Sequence, residues 1–499
     1  MGRVLLIGLD GAPPALLFKW AKAGLLPNIA GLMAEGAYGP LRSTIPPTTC
    51  PAWTSSVTGV DVHKHGIYDF FLSADLAGRK MVFADSTKRK AKALWNILSA
   101  SDKEVVVLNM PVTYPPEEIQ GAMVTGMLTP GPKSRFTYPP GLRRELLDMG
   151  YIIDIGETML AKTALFKRDP KAFLSEVVDM VGKRLEAAKY LMRSFDWDLF
   201  IVVFVALDRV NHLFWRFLDP RHIAYDKIAA RSLVPLIARC YRAVDKAVGE
   251  LVKEAGPDVD ILIYSDHGFR PLNYFMFTNN LLMRRRLLSL KTKFGREGRA
   301  LMTHEFLLRV FRRLPTSVIT RLSGLRLRRL GHMVRAAPGM FTIFDLDPDN
   351  TLAFQLGSFI HLNERALDSE EERRSTVRAV LDALRAIYPL THVKAHAKEE
   401  IFGRGARLPA VVLLSEGDVT AKHIITAQAE VIRRYRDDVE VPSLMWCGDH
   451  ALHGTLIMAG PGVKPQGQLE GARIMDVAPT VLKLLGEEIP DYMDGKPLT

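Results

Sequence analysis

Residues 199–212 read LFIVVFVALDRVNH, and this stretch decides the fold. Its first nine residues, 199–207, are the longest unbroken apolar run in the chain. They lack the alternation of a half-buried strand. They therefore predict a strand buried on both faces, which is the habit of parallel sheets. A membrane helix needs about 20 apolar residues, so the run predicts no bilayer span. It meets Asp208, and His212 follows four residues later. Those two side chains share one face if the strand passes there into a helical turn.

Working outward, four further runs read the same way: VLLIGLD (4–10), VVVLNMP (105–111), ILIYSDHG (261–268) and TLIMAGPG (455–462). Helical periodicity fills the intervals at 14–35, 51–58, 90–100, 170–195, 222–255 and 474–486. Strands alternating with helices predict an α/β fold, a mostly parallel sheet sandwiched by helices. Asp10, Asp208 and Asp266 each fall at the carboxyl end of a predicted strand, and His267 follows Asp266 directly. Ligands of open α/β sheets bind outside those ends. Carboxylate oxygens and imidazole nitrogens brought to one sheet edge suit zinc or manganese.

The rhythm breaks between 271 and 440. Residues 281–336 are helical and arginine-rich, and 355–420 read as a small α/β unit. The expected organisation is a catalytic core, 1–270 plus 441–499, with 271–440 inserted as a cap over the sheet edge. The net charge of +11 is concentrated in the insertion, where residues 284–335 hold 15 Lys/Arg against two acids. Such a segment faces an anionic membrane surface or an anionic substrate, or it is a solvated helix face. No specific nucleic-acid partner is expected.

Composition narrows the class. Hydrophobic residues at 48% and charged residues at 24% exclude a disordered or collagen-like chain. The three cysteines (Cys50, Cys240, Cys447) are too few and scattered for a disulfide framework. With no signal-peptide pattern at the start, a cytoplasmic location is the expectation.

The segment STIPPTTCPAWTSSVTGVDVHKHGIYDFF (43–71) supplies hydroxyls. Its prolines place Thr48–Cys50 in a turn before a helix that begins near Pro51. Free N–H groups and the macrodipole at a helix start favour an anion. A divalent metal would lower the hydroxyl pKa enough to make a threonine alkoxide accessible. Thr48 and Thr49 also fit as simple helix caps. A last cluster, WCGDHALHGTLIMAGPG (446–462), offers His450 and His453.

Taken together these motifs resemble the alkaline phosphatase superfamily, in its type I phosphodiesterase and nucleotide pyrophosphatase branch. The resemblance rests on LIGLDGAPP (6–14), TCPAWTSSVTGVDVHKHGI (49–67), DRVNH (208–212), SDHG (265–268), GDHALHG (448–454) and the tail at 476–498. It implies an alkaline-phosphatase-like core and two divalent metals, zinc first, with manganese or iron as alternatives. Asp10, Thr49, Asp266 and His267 would hold one; Asp208, His212 and His450, rather than His453, would hold the other. Thr49 becomes the nucleophile, attacking phosphorus to give a phospho-threonine intermediate in diester or anhydride hydrolysis. The implied substrate is a small phosphorylated molecule: a nucleotide, a nucleotide-sugar or a lipid-linked phosphate. Other readings are a phosphomonoesterase or mutase-like phosphotransferase, a sulfatase, or a scaffold without catalysis. The chain departs from the branch after HGI, where YDFF (68–71) has no phosphate-holding asparagine. It also lacks the sulfatase C-x-P-x-R pattern, since Thr49 precedes Pro51 by two and Trp53 takes the arginine place.

Overall fold

The computed structural model describes residues 2–155, 165–291, 340–426, 429–436 and 445–499. Most of the arginine-rich stretch 284–335 therefore lies outside the described residues. At the centre is a nine-stranded sheet. Its order is Gly467–Gln468, Ala37–Arg42, His453–Ala459, Val259–Tyr264, Arg3–Leu9, Leu199–Phe204, Val105–Met110, Gly121–Thr125 and Thr137–Tyr138. The five strands from Val259–Tyr264 to Gly121–Thr125 run parallel. Every residue of Leu199–Phe204 and of Val259–Tyr264 is buried, as the apolar runs that begin at 199 and 261 lead one to expect, and the burial extends to Asp260.

Three expectations need correction. His453–Ala459 runs antiparallel to both its neighbours, Val259–Tyr264 and Ala37–Arg42. Its six residues from Gly454 on are buried, so the apolar run reported burial and carried no information on direction. The strand at 199 stops at Phe204, and Asp208 lies in the first turn of the helix Ala206–Leu218. Residues 14–35 form two helices, Pro14–Lys22 and Pro27–Glu35, because Pro27 opens a second helix.

Long helices cover the sheet. Pro170–Ser194 and Lys227–Ala255 pack together and turn apolar stripes inward, including Phe173, Val177, Leu191, Ile237, Val244 and Leu251. Asp169 and Asp226 cap their first turns by accepting backbone N–H groups. The helix Thr49–Thr58 is buried along its whole length. Gly8 lets it approach, because a Cβ there would lie 2.4 Å from the Trp53 ring.

A second apolar cluster gathers Met276, Leu282, Phe344, Phe354, Ile360, Val380, Leu384 and Leu413. It lies under a four-stranded antiparallel sheet, ordered Ala353–Leu356, Phe359–Leu362, Val411–Ser415, Val393–Ala397, and the helix Glu370–Thr391. Asp69 ties this unit to the central one. Its buried carboxylate accepts the Ser358 N–H at 2.9 Å and the Phe70 N–H at 2.6 Å. No helix among the described residues is long and apolar enough to cross a membrane.

Candidate metal centre

Three neighbouring parallel strands deliver the acids. Gly8 pairs with Tyr264, and Leu9 pairs with Phe204, so the three chains leave the sheet side by side. Asp10 follows the middle strand, and Asp266 and His267 follow the second. Asp208 and His212 ride the helix that follows the third. Gly11 makes the turn at φ +67, and a Cβ there would meet the Asp208 backbone at 2.9 Å. The Asn211 amide donates to the Gly11 carbonyl at 3.0 Å, and Tyr241 donates to Asn211 at 2.9 Å. These bonds lock the helix onto the turn.

His450 arrives differently. The strand Gly448–Ala451 pairs antiparallel with Gly268–Pro271, setting His450 opposite Phe269. Thr49 is the first residue of the Thr49–Thr58 helix, which starts two residues before the proline expected to begin it. Thr48 takes the cap position, but its side chain caps nothing, and its hydroxyl is buried without a partner among the described residues.

All seven expected residues converge. The His267 Nε2 lies 3.4 Å from the Thr49 hydroxyl, 3.2 Å from Asp266 and 3.7 Å from Asp10. Asp208 Oδ1 lies 3.2 Å from His212 Nε2 and 3.5 Å from His450 Nε2. Ligand atoms of Asp208, His212 and His450, and of Asp10, Asp208 and His267, form two groups, each within 4.8 Å. Asp208 belongs to both. His453 starts its strand exposed, in register with Arg42, and joins neither group.

The donor set fits divalent cations. Each histidine turns its Nδ1 to a backbone carbonyl: His212 to Gly448 at 2.9 Å, His267 to Gly268 at 3.1 Å, His450 to Pro47 at 3.1 Å. A carbonyl only accepts, so Nδ1 carries the proton and the Nε2 lone pair faces the cluster. Both Asp10 oxygens, Asp208 Oδ1 and Asp266 Oδ2 are buried with no hydrogen bond among the described residues. Bare carboxylate oxygens facing bare imidazole lone pairs are costly without a cation between them.

Electrostatics agree. Burial, then the Asp266 and Asp208 carboxylates, push Asp10 well above the usual range. Burial raises Asp266 to about 7. Burial would also raise Asp208, but His212, His450 and Arg209 hold it well below. Burial lowers His212 and His267. It opposes charge on His450 as well, yet Asp208 keeps that ring above its ordinary value.

Two neighbours were invisible in the sequence. Trp446 stacks on His212 at 3.8 Å. Arg209 forms an ion pair with Asp208 and a two-pronged one with Asp154. Both flank expected ligands, but neither residue type advertises that role.

Comparison with known proteins follows the same lines. The family model described as type I phosphodiesterase / nucleotide pyrophosphatase matches residues 4–423. No curated relative matches the chain in sequence. Among solved structures, human ectonucleotide pyrophosphatase/phosphodiesterase 5 superposes with a TM-score of 0.55 at 13% identity, over 99% of this chain and 97% of that one. The murine protein of the same name, an inactive variant in complex with AMP, gives 0.54 at 13% identity, over 98% and 96%.

Proposed function

The chain belongs to the type I phosphodiesterase/nucleotide pyrophosphatase family, and on that premise we propose that it hydrolyses phosphodiester or phosphoanhydride bonds through a phospho-threonine at Thr49, with two divalent metals. The observation that carries this reading is the convergence of three Nε2 lone pairs on unpartnered carboxylate oxygens beside a helix-N-terminal hydroxyl. Asp10, Thr49, Asp266 and His267 would hold one metal, and Asp208, His212 and His450 the other. Three imidazoles with carboxylates suit zinc first, then manganese or iron. When bound, the metals lower the Thr49 hydroxyl pKa and neutralise charge on the phosphoryl oxygens.

The residues supply the rest. Thr49 sits at the positive end of its helix, where N–H groups face an incoming phosphate. Its oxygen forms a bond to phosphorus as the opposite ester or anhydride bond breaks, and the leaving oxygen takes up a proton. Water then attacks phosphorus, breaks the threonine–phosphorus bond and returns a proton to Thr49. Cys50 is no competitor: burial, with Asp69, Asp10 and Asp266 nearby, pushes its thiol well up, and a thiol is a poor nucleophile. We take 271–440 as a cap that selects the substrate.

The AMP in the murine relative's structure supports a nucleotide substrate. A second reading, phosphomonoester hydrolysis or phosphoryl transfer, draws on the segment after HGI. It has no asparagine, and Asp69 there is committed to Ser358. Hydrolysis of bis-p-nitrophenyl phosphate against p-nitrophenyl phosphate, after loading with Zn²⁺ or Mn²⁺, tests the choice. Preference for the diester is the expected result. Monoester turnover alone selects the second reading, and no turnover of either rejects both.

A further inference from the structure

Arg209 is next to Asp208 on a helix, where adjacent side chains point about 100° apart and do not normally meet. Here they do. Arg209 donates Nη1 to Asp208 Oδ2, while Nε and Nη2 take Asp154 Oδ1 and Oδ2 at 3.2 and 2.9 Å. Nη2 also lies 3.7 Å from Met127 Sδ. The side chains of Arg209, Asp154 and Asp208 are 11%, 17% and 3% exposed, so the ion pairs are shielded from water.

Asp154 is anchored in turn. The buried Arg184 donates to the Ile152 and Ile153 carbonyls at 3.1 and 2.7 Å and to Val203 at 3.0 Å. The segment carrying Asp154 is thereby pinned to the strand that leads to Asp208. Arginine's planar fork suits such bridging, since it engages one carboxylate with two prongs and still reaches a second.

The consequence falls on Asp208. Arg209 occupies its Oδ2, and only Oδ1 faces His212 and His450. We propose that Asp154 and Arg209 are a positioning pair that restricts Asp208 to one-oxygen donation at the His212–His450 site. The proposal rests on the two-metal reading above.

The test is calorimetric titration of Zn²⁺ or Mn²⁺ into metal-stripped protein, followed by elemental analysis. Wild type should bind two equivalents. Arg209→Met and Asp154→Asn should each weaken one binding event about 10–100-fold, as loss of a ligand's hydrogen-bonding partner generally does, and leave the other within about threefold. Arg209→Lys should fail to rescue, because a single ammonium cannot bridge both carboxylates. Arg209→Met takes the guanidinium from two buried carboxylates, Asp154 and Asp208. The double variant Arg209→Met/Asp154→Leu removes both charges and guards against a folding defect. Because the pair acts as a unit, the double variant should lose no more than the single one. Two unchanged binding events in the variants, a wild-type Arg209→Lys, or additive losses would overturn the positioning role. Wild-type protein that binds no metal would overturn the two-metal reading itself.

Discussion

The Nε2 atoms of His212 and His450 lie 3.1 Å apart, although the residues are 238 positions apart in the chain. Each ring has its Nδ1 proton engaged by a backbone carbonyl. Two lone pairs therefore point at one volume, bordered by Asp208. A cation there satisfies all three groups at once.

His450→Ala should accordingly remove one of two bound metal equivalents, while His453→Ala keeps both. Elemental analysis of dialysed protein reads the difference directly. Loss of metal in the His453 variant alone would reverse the assignment.

Thr49→Ala should reduce hydrolysis of bis-p-nitrophenyl phosphate by about 10³-fold or more, as removal of a covalent nucleophile does. Its thermal midpoint should stay near that of wild type. Thr49→Ser keeps a hydroxyl and should retain a measurable fraction of the rate. Cys50→Ala should lower stability by about 1 kcal/mol, the cost of trimming a small buried side chain, and leave turnover intact. Steady-state rates with thermal and urea melts on each variant check all three.

Gly8→Ala should destabilise the protein by roughly 1–3 kcal/mol through overpacking, because its Cβ would lie 2.4 Å from Trp53 and 2.9 Å from Val203. The helix bearing Thr49 would be pushed off the sheet, so activity should fall with stability. The denaturation midpoint measures this. Trp53→Leu in the same chain makes room and should recover part of the loss.

Asp69 should make stability pH-dependent. Burial raises its carboxyl to about 6, against partial offset from the Ser358 and Phe70 N–H groups. Its folded pKa thus exceeds the unfolded value of about 3.9. The folded state binds the proton more tightly, so Asp69's contribution is fully present below about pH 4 and is lost as pH rises towards 6. Measured against Asp69→Asn, wild-type stability should fall across that window by up to roughly 3 kcal/mol, the equivalent of a two-unit shift. A flat difference from pH 4 to 7 would contradict it.

The parallel centre of the fold was legible because strands buried on both faces read as unbroken apolar runs, as in 199–204 and 261–264. Strand direction was not legible, since the run in His453–Ala459 is buried in the same way and runs antiparallel. The strand Ala37–Arg42, AYGPLR, escaped notice because its proline and glycine mimic a loop. For the site, Asp and His at strand ends announce themselves by residue type and spacing. The part played by Arg209 and Asp154 depends on side-chain direction across 55 positions, which no local pattern encodes. Trp446 was equally silent, for an aromatic against an imidazole looks like any core tryptophan.

The antiparallel pairing of Gly448–Ala451 with Gly268–Pro271 also sets a schedule. During synthesis Asp10, Thr49, Asp208, His212, Asp266 and His267 all emerge well before residue 450. Those six residues and the parallel strands Arg3–Leu9, Val105–Met110, Leu199–Phe204 and Val259–Tyr264 all precede residue 270, whereas the imidazole that faces His212 comes only at residue 450. On the two-metal reading, Thr49 and the earlier ligands wait on a contact between residues 238 positions apart, and such contacts are slow to form. On that reading hydrolytic competence is deferred until residue 450 has left the ribosome.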